Sequence, residues 1–323
     1  MTDSRPDELA SIDGIAEGLA TAGYIATRQI CTAVHIARHL DKPILVEGPA
    51  GVGKTELALA TSGFLGLPLV RLQCYEGLDE SKALYEWKYG KQLLYTQILK
   101  EKLADLLDDA KGLEKSLERL HGFDDIFFSE QFLEPRPLLK ALREPAGAVL
   151  LIDEIDKADE EFEAFLLEVL SAHQVSIPEI GTVKARVPPV AFLTSNNTRE
   201  LGDALKRRCL HLHIDFPDAR LETRIVESRV PGISARLKRE LIAFVQGLRT
   251  IELKKQPSVA ETIDWARVLL LLHAEHLDGE LVRDTLNVLL KFETDIEAAG
   301  AQLHELARKA RQEGARFADA ANA

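Results

Sequence analysis

Residues 48–55 read Gly48-Pro49-Ala50-Gly51-Val52-Gly53-Lys54-Thr55, a complete G-x-x-x-x-G-K-[ST] loop, and it constrains what can stand on either side of it. The apolar run Pro43-Ile44-Leu45-Val46 before it has the length and branching of a buried parallel strand. Behind the loop, Glu56-Leu57-Ala58-Leu59-Ala60 consists of strong helix formers. Strand, glycine turn and helix in that order aim several backbone N–H groups and the positive end of the helix at one point. A triphosphate is the ligand that needs such a point. Lys54 would lie along its β- and γ-phosphates, the Thr55 hydroxyl would hold Mg2+, and Glu56 closes the set of candidate binding residues. A glycine turn without a ligand is the plainer alternative, but it does not require every fixed position to be filled.

A second apolar run, Ala148-Val149-Leu150-Leu151-Ile152, ends in Asp153-Glu154, the Walker B pattern. The run is continuous rather than alternating, so the strand should be buried on both faces, with its carboxyl end where open α/β sheets put their ligands. Asp153 would bind the Mg2+ through water, and Glu154 would polarise the water that attacks the γ-phosphate. The plainer reading is an acidic turn capping the helix expected over 159–172, but the phosphate loop upstream favours hydrolysis. A third strand, Pro189-Val190-Ala191-Phe192-Leu193-Thr194-Ser195, runs into Asn196-Asn197. Asn196 would orient the attacking water or touch the γ-phosphate, although Ser-Asn-Asn alone is ordinary turn chemistry. The next helix, expected over 199–206, ends in Lys206-Arg207-Arg208-Cys209 before a strand over 210–214. Arginines there would offset the helix dipole. The sharper reading is an arginine finger reaching into a neighbouring subunit, Arg208 first and Arg207 as substitute.

Composition narrows the setting. At 323 residues two domains are the natural prior, and either is large enough to bury a core. A net charge of −12 argues against a chain that coats nucleic acid, which would need a basic face. Three scattered cysteines, Cys31, Cys74 and Cys209, give no disulfide framework and suit a reducing compartment. Apolar runs stay short of membrane-spanning length, and the acidic start Met1-Thr2-Asp3-Ser4 is unlike a signal peptide. The expectation is a cytoplasmic protein with no membrane partner.

Walker A, Walker B, a strand-end Asn and an Arg before the fifth strand occur in the order of AAA+ ATPases. Leu45-Val46-Glu47, Asp153-Glu154-Ile155-Asp156-Lys157-Ala158 and Thr194-Ser195-Asn196-Asn197-Thr198-Arg199-Glu200-Leu201 resemble the MoxR family, as does Ala204-Leu205-Lys206-Arg207-Arg208-Cys209. Arg71-Leu72-Gln73-Cys74-Tyr75-Glu76-Gly77-Leu78-Asp79 and Ala83-Leu84-Tyr85-Glu86-Trp87 are similar to its branch that accompanies carbon monoxide dehydrogenase maturation. The resemblance covers about residues 20–290. It implies an α/β fold of the AAA+ P-loop NTPase type, a parallel central sheet flanked by helices and then a small all-helical lid. It also implies ATP and Mg2+ as cofactors, a homo-oligomer in the form of a hexameric ring, and a protein client such as a metalloenzyme. A von Willebrand A-type partner often accompanies the family.

On this reading residues 1–26 are an N-terminal linker, 27–217 the nucleotide-binding domain, 218–300 the lid and 301–323 a helical tail. In AAA+ proteins the linker wraps the adenine, which makes Tyr24 and Ile25 candidates beside a helix over 27–40 with Thr27 as N-cap; ordinary core packing is the alternative. An insertion over about 79–137 begins with Tyr85, Trp87, Tyr89 and Tyr95, which would grip a client chain or pack on the core. It continues as an amphipathic helix over 100–120 and a loop over 122–137. A hairpin is expected over 174–187, around a Pro/Gly turn. After Pro217 the pattern is helical over 218–230, 234–248, 258–273 and 280–298, with Ser258-Val259-Ala260-Glu261 a capping box. The arginine that the family places early in the third lid helix is missing: Glu261 and Thr262 stand there, and Arg267 is about two turns in. Cys209, His211 and His213 alternate and would share a strand face, a zinc or copper set by residue type but equally a packed polar cluster. The function implied is an oligomeric ATPase that remodels a protein client. The alternative is a nucleic-acid motor or clamp loader, suggested by Arg208-Cys209 and opposed by the acidic charge.

Overall fold

The computed structural model of the protein describes residues 11–97, 128–178 and 180–321. Strands β1 (Ile44–Glu47) and β2 (Leu69–Gln73) precede the short pair β3 (Tyr85–Trp87) and β4 (Leu133–Pro135). β5 (Val149–Asp153), the hairpin β6 (Gln174–Ile177) and β7 (Gly181–Lys184), β8 (Val190–Ser195) and β9 (Leu210–His213) follow. Five of them form the central sheet in the order β2-β5-β8-β1-β9. The continuous apolar runs behave as expected: every residue of β5 is buried, and β5 pairs in parallel with β2 and β8. The β2–β5 register puts Gln73 opposite Asp153 and Arg71 opposite Leu151, which decides what surrounds the carboxylates.

Helices flank and then follow the sheet. In chain order they are α1 (Ile12–Thr21), α2 (Arg28–Leu40), α3 (Lys54–Leu65), α4 (Glu80–Ala83), α5 (Pro137–Arg143) and α6 (Glu160–Ala172). Then come α7 (Asp203–Arg208), α8 (Ala219–Arg229), α9 (Ala235–Leu248), α10 (Val259–Leu271), α11 (Gly279–Leu289) and α12 (Glu293–Ala321). Several of them start at a side-chain cap: Asp159 Oδ1 accepts from the Phe162 N–H, Asp218 Oδ1 from Leu221 and Ser234 Oγ from Leu237. Ser258 and Glu261 form the expected reciprocal capping box, and each such cap is worth about 1 kcal/mol. This is the expected α/β architecture with a C-terminal helical region. No helix among the described residues is long and apolar enough to cross a membrane.

The chain divides into two compact units, Met1–His35 with Val46–Leu65 and Leu212–Ala323, and Ile36–Leu45 with Gly66–His211. The helical core of the first is built on Trp265, Phe244, Leu241, Val282 and Leu286, with the Trp265 indole N–H donating to Thr285 Oγ1 at 2.8 Å. The core of the second packs Leu138, Leu139, Leu142, Phe162 and Leu166 against the apolar residues of β5 and β8.

Several expectations are corrected. The linker over 1–26 contains α1, capped by Ser11 and burying Ile15 and Leu19. The loop over 122–137 contains β4, whose antiparallel pairing with β3 divides the aromatic segment. Trp87 is buried edge-on to Phe128, while Tyr89 is exposed on a helical stretch over 89–97. The amphipathic helix over 100–120 lies outside the described residues. α7 begins at Asp203 rather than Arg199, because Arg199 is drawn to Glu163 and the Gly202 N–H donates to the same carboxylate. Cys209 is the buried C-cap of α7 while His211 and His213 are exposed on β9, and among the described residues no three such side chains are grouped as a metal set.

The helix over 280–298 is two helices, and the tail is continuous with the second. Leu290 is extended, and α12 starts at Glu293 and runs past 301. Buried Asp295, in the first turn of α12, accepts at its two oxygens from the N–H groups of Lys254 and Lys255, at 2.8 and 3.1 Å. Asp295→Ala strands both donors and should lower unfolding stability by about 2 kcal/mol, measured by urea denaturation followed by circular dichroism.

Candidate functional site

The phosphate loop is formed by close approach of backbone to backbone. Gly48, at φ +147°, ends β1 where a Cβ would stand 2.0 Å from the Ile214 carbonyl oxygen, and the Ile214 N–H donates to Glu47 at 2.8 Å. The chain leaving β9 therefore seals one side of the loop, which only glycine permits. Gly51 meets the other side: a Cβ there would lie 2.5 Å from the Cβ of Ser258, the N-cap of α10. Lys54 begins α3 and is buried, its Nζ donating to the carbonyls of Gly48 and Pro49 at 2.7 Å each. An ammonium folded onto its own loop, with Thr55 half-buried beside it, is a cradle whose donors suit phosphate oxygens.

Beside the loop lies a cavity of about 500 Å3, within the range of small-molecule sites. Tyr24, Ile25, Gly51, Val52, Gly53 and Glu56 all line it, so the structure gathers these expected binding residues in one place. Tyr24 is buried and its phenol is pushed upward, first by desolvation and then by Glu56, so it stays neutral. Arg229, from the last turn of α8, ion-pairs with Glu56 on the cavity wall. Phe216, Ala260, Asp264 and Arg267 also line it, with Arg267 paired to Asp264 at 3.2 Å. Sequence reasoning missed Arg229 and Phe216. No motif marks either, because they reach the cavity only through the path of the chain after β9.

The second group of residues surrounds the end of β5. Asp153 is buried, and Glu154 follows it in the left-handed conformation, φ 57° and ψ 50°. That backbone, strained by about 1 kcal/mol or more, turns successive carboxylates to different sides. One hydroxyl holds both: Thr194 Oγ1 donates to Asp153 Oδ1 at 2.5 Å and accepts from the Glu154 N–H at 2.9 Å. Asn196 Nδ2 donates to Glu154 Oε1 at 3.3 Å, so the strand-end amide does meet the second carboxylate. From β2, Arg71 donates to Asp153 Oδ2 at 2.5 Å and Gln73 Nε2 to Glu154 Oε2 at 2.7 Å, with Lys157 Nζ on the same oxygen at 2.7 Å. Arg71 and Gln73 were legible only as a family resemblance; their role here comes from the β2–β5 register.

Asp156 anchors the sensor loop. Its Oδ2 accepts from the N–H groups of Asn196 and Thr198 at 3.2 and 3.0 Å and from the Thr198 hydroxyl at 2.6 Å. Burial pushes its carboxyl up, yet the hydrogen bonds from Thr198 and Asn196 outweigh it and hold the group below the usual aspartate range. Nearby Cys74 is pushed up to about 12, by burial and then by Asp153, Asp156 and Glu154, and its N–H donates to the Asp153 carbonyl. Arg207 and Arg208 stand apart from this group, exposed in the last turn of α7. Arg208 Nε donates to Ser171 at 2.8 Å, near the C-terminal end of α6, about 16 Å along that helix from its start. Asp156→Ala removes the acceptor of three bonds and should cost about 2 kcal/mol in urea unfolding. Asp156→Asn should cost less than half of that, because its side-chain oxygen still accepts.

The comparisons with known proteins agree with this geometry. The family model described as AAA domain (dynein-related subfamily) matches residues 43–209, more than half of the chain. Uncharacterized proteins of Staphylococcus aureus, strains USA300 and NCTC 8325 / PS 47, are 27% identical over 237 residues, covering 72% of this chain and 76% of theirs. The chain belongs to the AAA family, in its dynein-related subfamily, and is an ATP-hydrolysing protein of that kind.

Proposed function

We propose that this ATPase is of the MoxR type and couples hydrolysis to the remodelling or maturation of a protein client, a metalloenzyme or protein complex, as a hexameric ring in the cytoplasm. A von Willebrand A-type protein is the companion that this reading assigns to it. The dynein-related subfamily includes MoxR-like ATPases, and the net charge of −12 disfavours a nucleic-acid track. The observation that carries the chemistry is that the Thr194 hydroxyl holds the Asp153 carboxylate and the Glu154 amide, while the Asn196 amide meets the Glu154 carboxylate.

In this reading Gly48, Pro49, Ala50, Gly51, Val52 and Gly53 wrap the phosphates, and Lys54 exchanges its two carbonyl acceptors for β- and γ-phosphate oxygens. Tyr24 and Ile25 cover the base. Thr55 and Asp153 would hold Mg2+ through a hydroxyl and a carboxylate, the hard oxygen donors that this ion takes, and it would supply positive charge beside the phosphates. Arg71 pairs with Asp153 and offsets its charge. Glu154 releases one of its donors to accept a proton from water at Oε, while the water oxygen attacks the γ-phosphorus and the bond to the bridging oxygen breaks. Asn196 holds that water in line.

Glu154→Gln should keep ATP affinity within about threefold while turnover falls by about 10²-fold or more, the range of a general base. Lys54→Ala should lose affinity itself. Calorimetric titration beside a phosphate-release assay separates them, and equal affinity losses in both variants would remove Glu154 from its role.

The Arg208 guanidinium is exposed and donates to two neutral groups, Ser171 Oγ and the Ala204 carbonyl, which suits a finger that works on a neighbour's ATP. Arg208→Ala should then slow hydrolysis by about 10³-fold at nearly unchanged affinity, with Arg207 leaving a residue of activity. Mixing Arg208→Ala with Glu154→Gln subunits should restore turnover, since some interfaces regain an intact base and an intact finger. Mixed oligomers that stay inactive would sink the trans-acting role, and stimulation by DNA would redirect the client to nucleic acid.

A further inference from the structure

Phe216 and Tyr24 bring the two benzene-type rings among the described residues that line the cavity beside the phosphate loop, and Phe216 is clamped from behind. Arg249, from the end of α9, lies with its guanidinium carbon 4.8 Å from the centre of the Phe216 ring. That guanidinium is almost wholly buried and makes a bidentate pair with fully buried Glu222, at 2.8 Å on each arm. Thr262 Oγ1 and Gln246 Nε2 donate to the same carboxylate, at 2.9 and 2.8 Å, and Gln246 also donates to the carbonyl of Pro217, the residue after Phe216. The remaining Arg249 donor, Nε, reaches the Pro257 carbonyl at 2.9 Å. Pro257 precedes Ser258, whose Cβ occupies the space above Gly51 of the phosphate loop.

A bidentate, fully satisfied charge pair is expensive to bury, and packing alone would be served as well by apolar residues. What this pair supplies is position. It fixes one aromatic ring at the cavity wall and ties that ring to the residue that packs on the loop. The base is the flat, weakly hydrated part of a nucleotide, and a rigid ring is the surface on which it gains most. We propose that Phe216 is a further base-contacting residue of the cavity, beside Tyr24 and Ile25, that it determines specificity for the base, and that Arg249, held by Glu222, is its positioning residue. This rests on the reading that the cavity takes ATP.

The test uses the full chain and two probes, ATP and inorganic tripolyphosphate, titrated calorimetrically. Phe216→Leu should weaken ATP binding about tenfold and leave tripolyphosphate within twofold, since only ATP carries a base. Arg249→Lys keeps the charge but not the planar fork, and should lower the ratio of ATP to tripolyphosphate affinity in the same direction. The double variant should be no weaker for ATP than Phe216→Leu alone, as expected for two residues on one path. Unchanged ATP affinity in Phe216→Leu, an equal loss for both probes, or additive losses in the double variant would overturn the proposal. Should Arg249→Lys fail to fold, Phe216→Leu still decides it. If tripolyphosphate does not displace ATP from the unmodified protein, the reading of the cavity falls instead.

Discussion

The Thr194 hydroxyl is the point on which the carboxylate cluster depends. It donates to Asp153 and accepts from the amide of Glu154, so one oxygen on β8 fixes both the side chain of the first acid and the backbone of the second. The left-handed Glu154 costs energy, and it persists because its amide has this partner and Asp156 anchors the loop beyond β8. Without the hydroxyl two consecutive acids would relax into an ordinary helical start. With it, their carboxylates face different donors, Arg71 on one and Gln73, Lys157 and Asn196 on the other.

Those donors set the electrostatic state of the cluster. Asp153 is buried, and an unpaired carboxylate there would be costly; Arg71 removes that cost from a partly exposed position. The Glu154 side chain is about a third exposed at 31%, so its pairing with Lys157 is screened and readily exchanged. The two acids therefore differ in how they are held. Asp153 is tied to a rigid strand, and Glu154 is held by contacts that water or substrate can replace.

The parts legible in the sequence were those whose constraints are contiguous. The glycine loop, the strand-end Asp153-Glu154 and the Ser258 capping box each fix their neighbours within a few residues, and each adopts the expected local form. What stayed hidden depends on pairing across the chain. Nothing local distinguishes Gln73 from a solvent-facing strand residue; its place opposite Asp153 comes from the β2–β5 register. The α7 start was misread because Arg199 is a good helix former in isolation, and its attachment to Glu163 is a tertiary contact that overrides propensity. The first turn of α12 likewise depends on distant partners, since the two amides that Asp295 satisfies lie about forty residues away.

Charged residues in the helical core follow a common rule that the sequence pattern conceals. Glu222 and Glu240 are both fully buried, yet neither lacks a donor: Arg249, Gln246 and Thr262 serve the first, Arg236 and the Leu277 amide the second. Helical periodicity would rank both as solvent-facing acids. Buried acids with several fixed donors are a poor way to gain stability and a good way to fix geometry. They occur at the joints between helices, Glu222 where α8, α9 and α10 meet and Glu240 where α9 meets the turn before α11. The apolar core holds these helices together, and the two buried carboxylates set the angles at which they do so.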